Sequence, residues 1–283
     1  MFDRDGFMAF ARQAGADVIG VAGIDRFDEL PEAKHPRAIF PEAQSVIVLG
    51  RRIPRGALRG AEEGTNFLNY TLYGAEWLEN RFLPMLTFQI AEALESDGWE
   101  AVPLANLPPE VPPMGVSVAE GKPAPNVMLD LDDAAVRAGV GEIGYCRVLL
   151  TPEFGPRQRI QMILTDAPIE PDPILEAPVC PRSDECRGHC PLGAFGEETE
   201  RVIAGKRMTV AEVDWSLCAG CRNGARGNPS HPAGRPDRLA AYCMRSCVDF
   251  LERTGRVSRA LSEPFRKREP WLVRSETDLF RVR

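Results

Sequence analysis

The stretch "CPRSDECRGHCPLGAF", Cys180 to Phe195, decides how the chain is read. Counting back from Cys190, the cysteine followed by proline, Cys186 stands four positions upstream and Cys180 ten. In the iron–sulfur ligand run C-x2-C-x2-C-x3-C-P, three thiolates serve one cluster and the last serves another. The stretch fits that run except at Ser183, where a further cysteine would stand. A looser second run follows, with Cys218 and Cys221, an insertion of 21 residues, then Cys243 and Cys247.

If ligands cross between the runs, Cys190, Cys218, Cys221 and Cys243 form one complete four-thiolate site, expected to hold a [4Fe–4S] cluster. Cys180, Cys186 and Cys247 form the other, one thiolate short. It is expected to hold a [4Fe–4S] or [3Fe–4S] cluster, with Ser183 or Asp184 supplying an oxygen or the corner left empty. A fourth thiolate there has only Cys146 as its source. Structural zinc is the competing reading, since C-x2-C pairs serve it too. Zinc leaves three thiols unused and gives no reason for the Cys190–Pro191 step. The "LGAF" that follows that step reads as a cluster-domain helix. His189 and His231 stand in polar stretches and read as solvated.

The surrounding sequence supports a metal reading. Of eight cysteines, seven lie between Cys180 and Cys247. The opening "MFDRDGFMAFARQAG" is too charged for a secretory leader, and no apolar run reaches the roughly 18 residues of a membrane span. A cytoplasmic, reducing setting is therefore expected, where clustered cysteines mean metal or redox chemistry rather than disulfides. The 283 residues are 44% hydrophobic and 27% charged, as in an ordinary globular protein. A net charge of −7 argues against a nucleic-acid partner, despite the basic residues after Leu251.

Upstream of the cysteines, the pattern is mixed. "DRDGFMAFARQAG" spaces Phe7, Phe10 and Ala11 as on a helix that stops at Gly15, and "DVIGVAG" and "SVIVLG" read as strands. An amphipathic stretch over residues 66–96 is divided by Pro84. "WEAVPL" predicts a strand, and the Pro- and Gly-rich residues 105–126 a functional loop. "LDDAAVRAG" predicts a helix, and "YCRVLLT" and "RIQMILTD" strands flanking a turn. "GVGEIG", Gly139 to Gly144, matches a dinucleotide fingerprint letter for letter. That fingerprint needs a strand before it and a helix after it, so that the helix N-terminus meets the pyrophosphate. Here the order is reversed, and a glycine turn open to a bulky ligand is expected instead.

Three blocks together carry a family likeness: "HPRAIFPEAQSVIVLG", "AGVGEIGYCRVLLTPEFGPRQRIQMILTDAPIEPDP" and the cysteine run with "CPLGAF". They resemble the epoxyqueuosine reductase-like proteins, relatives of the catalytic region of reductive dehalogenases, over about residues 35–250. The resemblance implies an α+β chain, with a nitroreductase-like α/β domain that binds cobalamin over residues 1–174. A ferredoxin-like double-cluster domain would occupy 175–250, and a helical tail packed on the rest 251–283. It implies electrons passing from the clusters to cobalt, which reduces a substrate.

This chain departs from the tRNA-modifying members. Glu142, Tyr145 and Cys146 replace a tryptophan and a lysine–asparagine pair, and Asn126 stands where the catalytic aspartate is expected. The chain therefore resembles a divergent branch acting on a small molecule. For the cobalamin, the backbone at Gly139, Gly141 and Gly144 is the candidate, with Cys146, Arg157 and the loop Leu107–Asn126. A reduction also needs a proton, for which Glu142, Tyr145 and Asp132 are candidates. Asp132 and Asp133 also suit the first turn of a helix with no catalytic duty. The expected partners are a small-molecule substrate and an electron donor such as ferredoxin or flavodoxin. The alternative is a non-catalytic electron-transfer or accessory protein docking a partner reductase.

Overall fold

A computed structural model describes residues 3–104 and 106–268. Helix α1 (Arg4–Gln13) is capped by Asp3, whose carboxylate accepts from the amide of Gly6, and the chain turns off it at Gly15. Strands β1 (Val18–Gly23), β2 (Ser45–Arg52), β3 (Ala101–Pro103) and β6 (Gln158–Thr165) form one antiparallel sheet in the order β1-β2-β6-β3. Alternation along the strands divides the sheet's two faces. Ile47, Leu49 and Ile163 pack under α1 and α4 (Leu83–Ser96). Val46, Val48, Met162 and Leu164 pack on the other face, with α5 (Leu131–Arg137). Both faces are covered, so β2 reads as a continuous apolar run rather than an alternation.

Helix α2 (Arg59–Glu62) precedes the stretch divided by Pro84, which begins with α3 (Leu68–Tyr70). Two π-helical segments follow, Thr71–Glu76 and Leu78–Phe82, and α4 opens with Pro84 in its first turn. A proline is tolerated there because its missing N–H would have no intrahelical partner. After α5, Gly139–Gly144 leads into the short hairpin of β4 (Glu142–Ile143) and β5 (Leu149–Leu150).

The cysteine region differs from the sequence reading. Cys186 lies on α6 (Glu185–Gly188), but "LGAF" is not helical: Phe195 begins β7 (Phe195–Ile203), paired with β8 (Lys206–Val213). Ala204 and Gly205 take positive φ at the tip, as a tight hairpin turn requires. Cys218 lies on α7 (Trp215–Ala219), and Cys243 and Cys247 on α8 (Tyr242–Arg253).

Residues 254–268 carry no helix, yet Phe265 is buried and Arg266 pairs with Glu62. The rest of the expected tail lies outside the described residues. One apolar cluster holds Ile53, Leu58 and Tyr70 from the first half together with the cysteines. The two halves therefore share a core. Among the described residues no helix is long and apolar enough to cross a membrane.

Candidate cluster sites and an adjoining acidic cleft

Cys190, Cys218, Cys221 and Cys243 together line one small cavity. Asp214 caps α7 and fixes the approach of Cys218, accepting from the amides of Ser216 and Leu217. Backbone amides point at the sulfurs, that of Ala194 reaching Cys190 Sγ at 3.3 Å, and those of Asn223 and Ala225 reaching Cys221. Burial pushes the Cys218 and Cys221 thiols up and Cys243 to about 12, while the Arg238 guanidinium pulls all three back. Arg238 lines the same cavity, is almost fully buried, and its Nη1 has no hydrogen-bond partner among the described residues. Four thiols, inward amides and a buried guanidinium with an unpartnered Nη1 suit an anionic iron–sulfur cluster. Among the described residues no three His, Cys, Asp or Glu side chains converge as a single-ion site.

The remaining thiols gather nearby. Cys186 and Cys247 are buried, and Cys180 packs against the same apolar cluster. Cys180 Sγ accepts from the Tyr145 amide at 3.4 Å, and the Arg182 amide also faces it. Ser183, half-buried, lies in the loop before α6. Cys243 and Cys247, four residues apart on α8, stand about 6 Å apart along its axis, one for each site.

The other expected residues are scattered by the fold. Gly139 has φ +71°, and a Cβ there would stand 2.1 Å from Pro173 O. A Cβ at Gly141 would meet Leu150 O at 2.2 Å, and one at Gly144 the Leu150 side chain. These glycines make room for the chain's own backbone and hairpin, and none lines the large cleft. Glu142 is buried as a brace, its Oε1 accepting from Val179 N (2.9 Å) and Cys180 N (2.6 Å), its Oε2 3.3 Å from Lys206 Nζ. Tyr145 stacks near Phe195, and its hydroxyl accepts from Arg187 at 3.1 Å. Arg157 donates to Ile53 O and pairs with buried Glu252. None of these reaches the cleft.

Asp132 does. It lines a cleft of about 240 Å³ between the α5 N-terminus, residues 106–110 and the loop 228–239. Asp130 caps α5 by accepting from Asp133 N, and it stands beside Asp132. Desolvation first, then the Asp130 charge, push the Asp132 carboxyl up to about 7, against the pull of Arg201, Arg235 and Arg159.

Other side chains share the cleft with Asp132. Arg159 pairs with Asp237 (2.7 Å) and Glu79 (3.1 Å) and donates to Tyr70 Oη (2.7 Å). Arg235 and Arg238 stack on Trp215, at 5.0 and 4.6 Å from its ring centroid. Arg238 lines both the cleft and the four-thiol cavity. Arg159 and Asp237 are 78 residues apart, so only the alternation of β6 hinted that Arg159 faces the side opposite its neighbours.

No family model matches the chain. It is 37% identical over 82 residues to a tetrachloroethene reductive dehalogenase of Dehalobacter restrictus, a match covering 28% of this chain and 15% of that protein. A counterpart from Sulfurospirillum multivorans is 35% identical over 66 residues, 22% of this chain and 13% of the other. The matches thus span a small part of these relatives. Among solved structures, a catabolic reductive dehalogenase superposes with a TM-score of 0.57 at 18% identity, covering 86% of this chain and 31% of that one. Along that segment the chain is similar in sequence to reductive dehalogenases, and its fold is similar to that of a catabolic reductive dehalogenase.

Proposed function

We propose that this chain is an iron–sulfur oxidoreductase that feeds electrons through two clusters to a cobalamin-type cofactor in the Asp132 cleft, where a small molecule is reduced. The observation that carries this reading is the shared wall between thiol cavity and cleft: Arg238 lines both. An electron carrier held by Cys190, Cys218, Cys221 and Cys243 would lie one side chain away from a ligand in the cleft. Four thiols lining one cavity, with Cys190 followed by proline, favour an iron–sulfur cluster over zinc.

The cleft is lined by acidic, basic and aromatic side chains, Asp132, Arg159, Arg235 and Trp215 among them, which suits a polar ligand with a flat face. A reductive dehalogenase of similar fold carries out B12-dependent dehalogenation, which supports a corrin as the cofactor. When bound, clusters and corrin would supply one-electron carriers and a reducing metal centre. The chain's own part is electrostatic and protic. Asp132 holds a proton at its carboxyl near neutrality and can deliver it to a reduced substrate. Arg159, locked between Asp237 and Glu79, holds a fixed network of charged groups in the cleft lining. Trp215, stacked by two guanidiniums, gives a rigid aromatic wall.

The test is anaerobic purification followed by iron, sulfide and zinc analysis, then titration with hydroxocobalamin followed by its visible spectrum. Stoichiometric iron and sulfide with corrin binding, weakened in Arg159→Ala, is the expected result. Zinc without sulfide overturns the reading. Clusters with no corrin binding turn it to the accessory electron-transfer alternative.

A further inference from the structure

We infer that Cys146 is the fourth thiolate of the first cluster site, completing Cys180, Cys186 and Cys247 and leaving Ser183 outside the ligand set. The inference rests on the two-cluster reading above and deepens it. Cys146 comes from the β4–β5 hairpin, far in sequence from both cysteine runs, and it is 2% exposed. Its thiol is in hydrogen-bonding reach of Cys186, and Cys247 is close enough to sense charge on both Cys146 and Cys180. Cys180 Sγ in turn accepts from the amide of Tyr145, the residue before Cys146. The four thiols therefore lie in one neighbourhood, in or packed against the same apolar cluster.

The tip is built to hold that position. Arg147 N donates to Gly144 O at 2.8 Å and Gly144 N to Val148 O at 2.9 Å, closing a tight turn around Cys146. Arg147 takes a positive φ of 56°, and its guanidinium is fixed by donation to Ala211 O at 2.7 Å. Arg238 Nη2 donates to Cys146 O at 2.6 Å, and Ala211 N to Tyr145 O at 2.9 Å. A left-handed non-glycine residue costs about 1 kcal/mol or more, so the surrounding bonds must over-determine it. Glu142, on the same hairpin, holds the amides of Val179 and Cys180, so one short element sets both ends of the ligand set.

Ser183, in the interrupted run, sits in the half-open loop before α6. Its hydroxyl would have to be deprotonated to match a thiolate donor, whereas Cys146 offers soft sulfur from a dry, pinned turn. The gap in the run is thus filled from the other half of the molecule. Arg238 touches the Cys146 backbone and lines the second cavity, linking the two sites to one cation.

The experiment compares wild type, Cys146→Ser, Cys146→Ala and Ser183→Ala, purified anaerobically, by iron and sulfide content, EPR and Mössbauer spectroscopy. Wild type is expected to hold about eight irons in two four-thiolate [4Fe–4S] clusters. Both Cys146 variants should lose one cluster's signal or show a three-iron signal, while the second cluster persists as proof of folding. Ser183→Ala should match wild type. Two intact clusters in the Cys146 variants, a wild-type Mössbauer spectrum with an oxygen-ligated iron, or a Cys146–Cys186 disulfide would each overturn the inference. If the Cys146 variants do not fold, the wild-type Mössbauer spectrum decides it alone. Iron-free wild-type protein would instead refute the two-cluster reading itself.

Discussion

Replacing Asp132 by asparagine tests the cleft's acid without knowledge of its substrate. The carboxyl ordinarily titrates near 3.8 and is held up to about 7 here, by desolvation first and by Asp130 second. A folded-state pKa above the unfolded one means the native protein binds the proton more tightly. The resulting stabilisation is complete below pH 3.8 and is lost as pH rises through about 7. If the group were sealed from water, the gap would amount to about 4 kcal/mol. Asp132 opens onto the cleft, so about 1–2 kcal/mol is a fitting expectation after solvent screening. Asparagine mimics the protonated acid at every pH. Wild type and Asp132→Asn should therefore match in thermal stability near pH 4. Above pH 8 wild type should melt about 2–6 °C lower. Infrared pH-difference spectra should show a carboxyl band with a midpoint near 7 that the variant lacks. A pH-independent stability difference, or a band titrating near 4, would refute the argument that this acid holds its proton at neutrality.

Arg238→Gln should lower the potential of the Cys190/Cys218/Cys221/Cys243 cluster by roughly 60–130 mV, the one-electron equivalent of about 1.5–3 kcal/mol for a lost charged interaction, measured by EPR redox titration. Glu252→Gln leaves the buried guanidiniums of Arg55 and Arg157 without their common carboxylate and should cost about 3–5 kcal/mol, read from urea unfolding. Gly139→Ala meets both a positive φ and Pro173 O at 2.1 Å, and should lose at least about 2 kcal/mol or fail to accumulate as folded protein.

Much of the architecture is local and was legible. The apolar runs of β1, β2 and β6, the cap at Asp3 and the division at Pro84 all act over a few residues, where propensity and hydrogen-bonding needs decide the outcome. The "LGAF" helix was misread for the same reason: four small apolar residues say little. The pairing of 195–203 with 206–213 about the Ala204–Gly205 turn outweighs them.

The sequence by itself determined the chemistry on offer: clustered thiols in two runs, one thiol short in the first. It also determined the glycine turn that rejects a dinucleotide. Tertiary structure alone decided which groups meet. The crossing rule grouped Cys190, Cys218, Cys221 and Cys243, and the fold rings one cavity with those four. Spacing is silent about Cys146, because a hairpin brings it to Cys180 across 34 positions through backbone bonds to β8 and Arg238. It is equally silent about Asp132. A carboxylate in a helix's first turn is stabilised as an anion by the helix dipole, until burial and a second acid outweigh it.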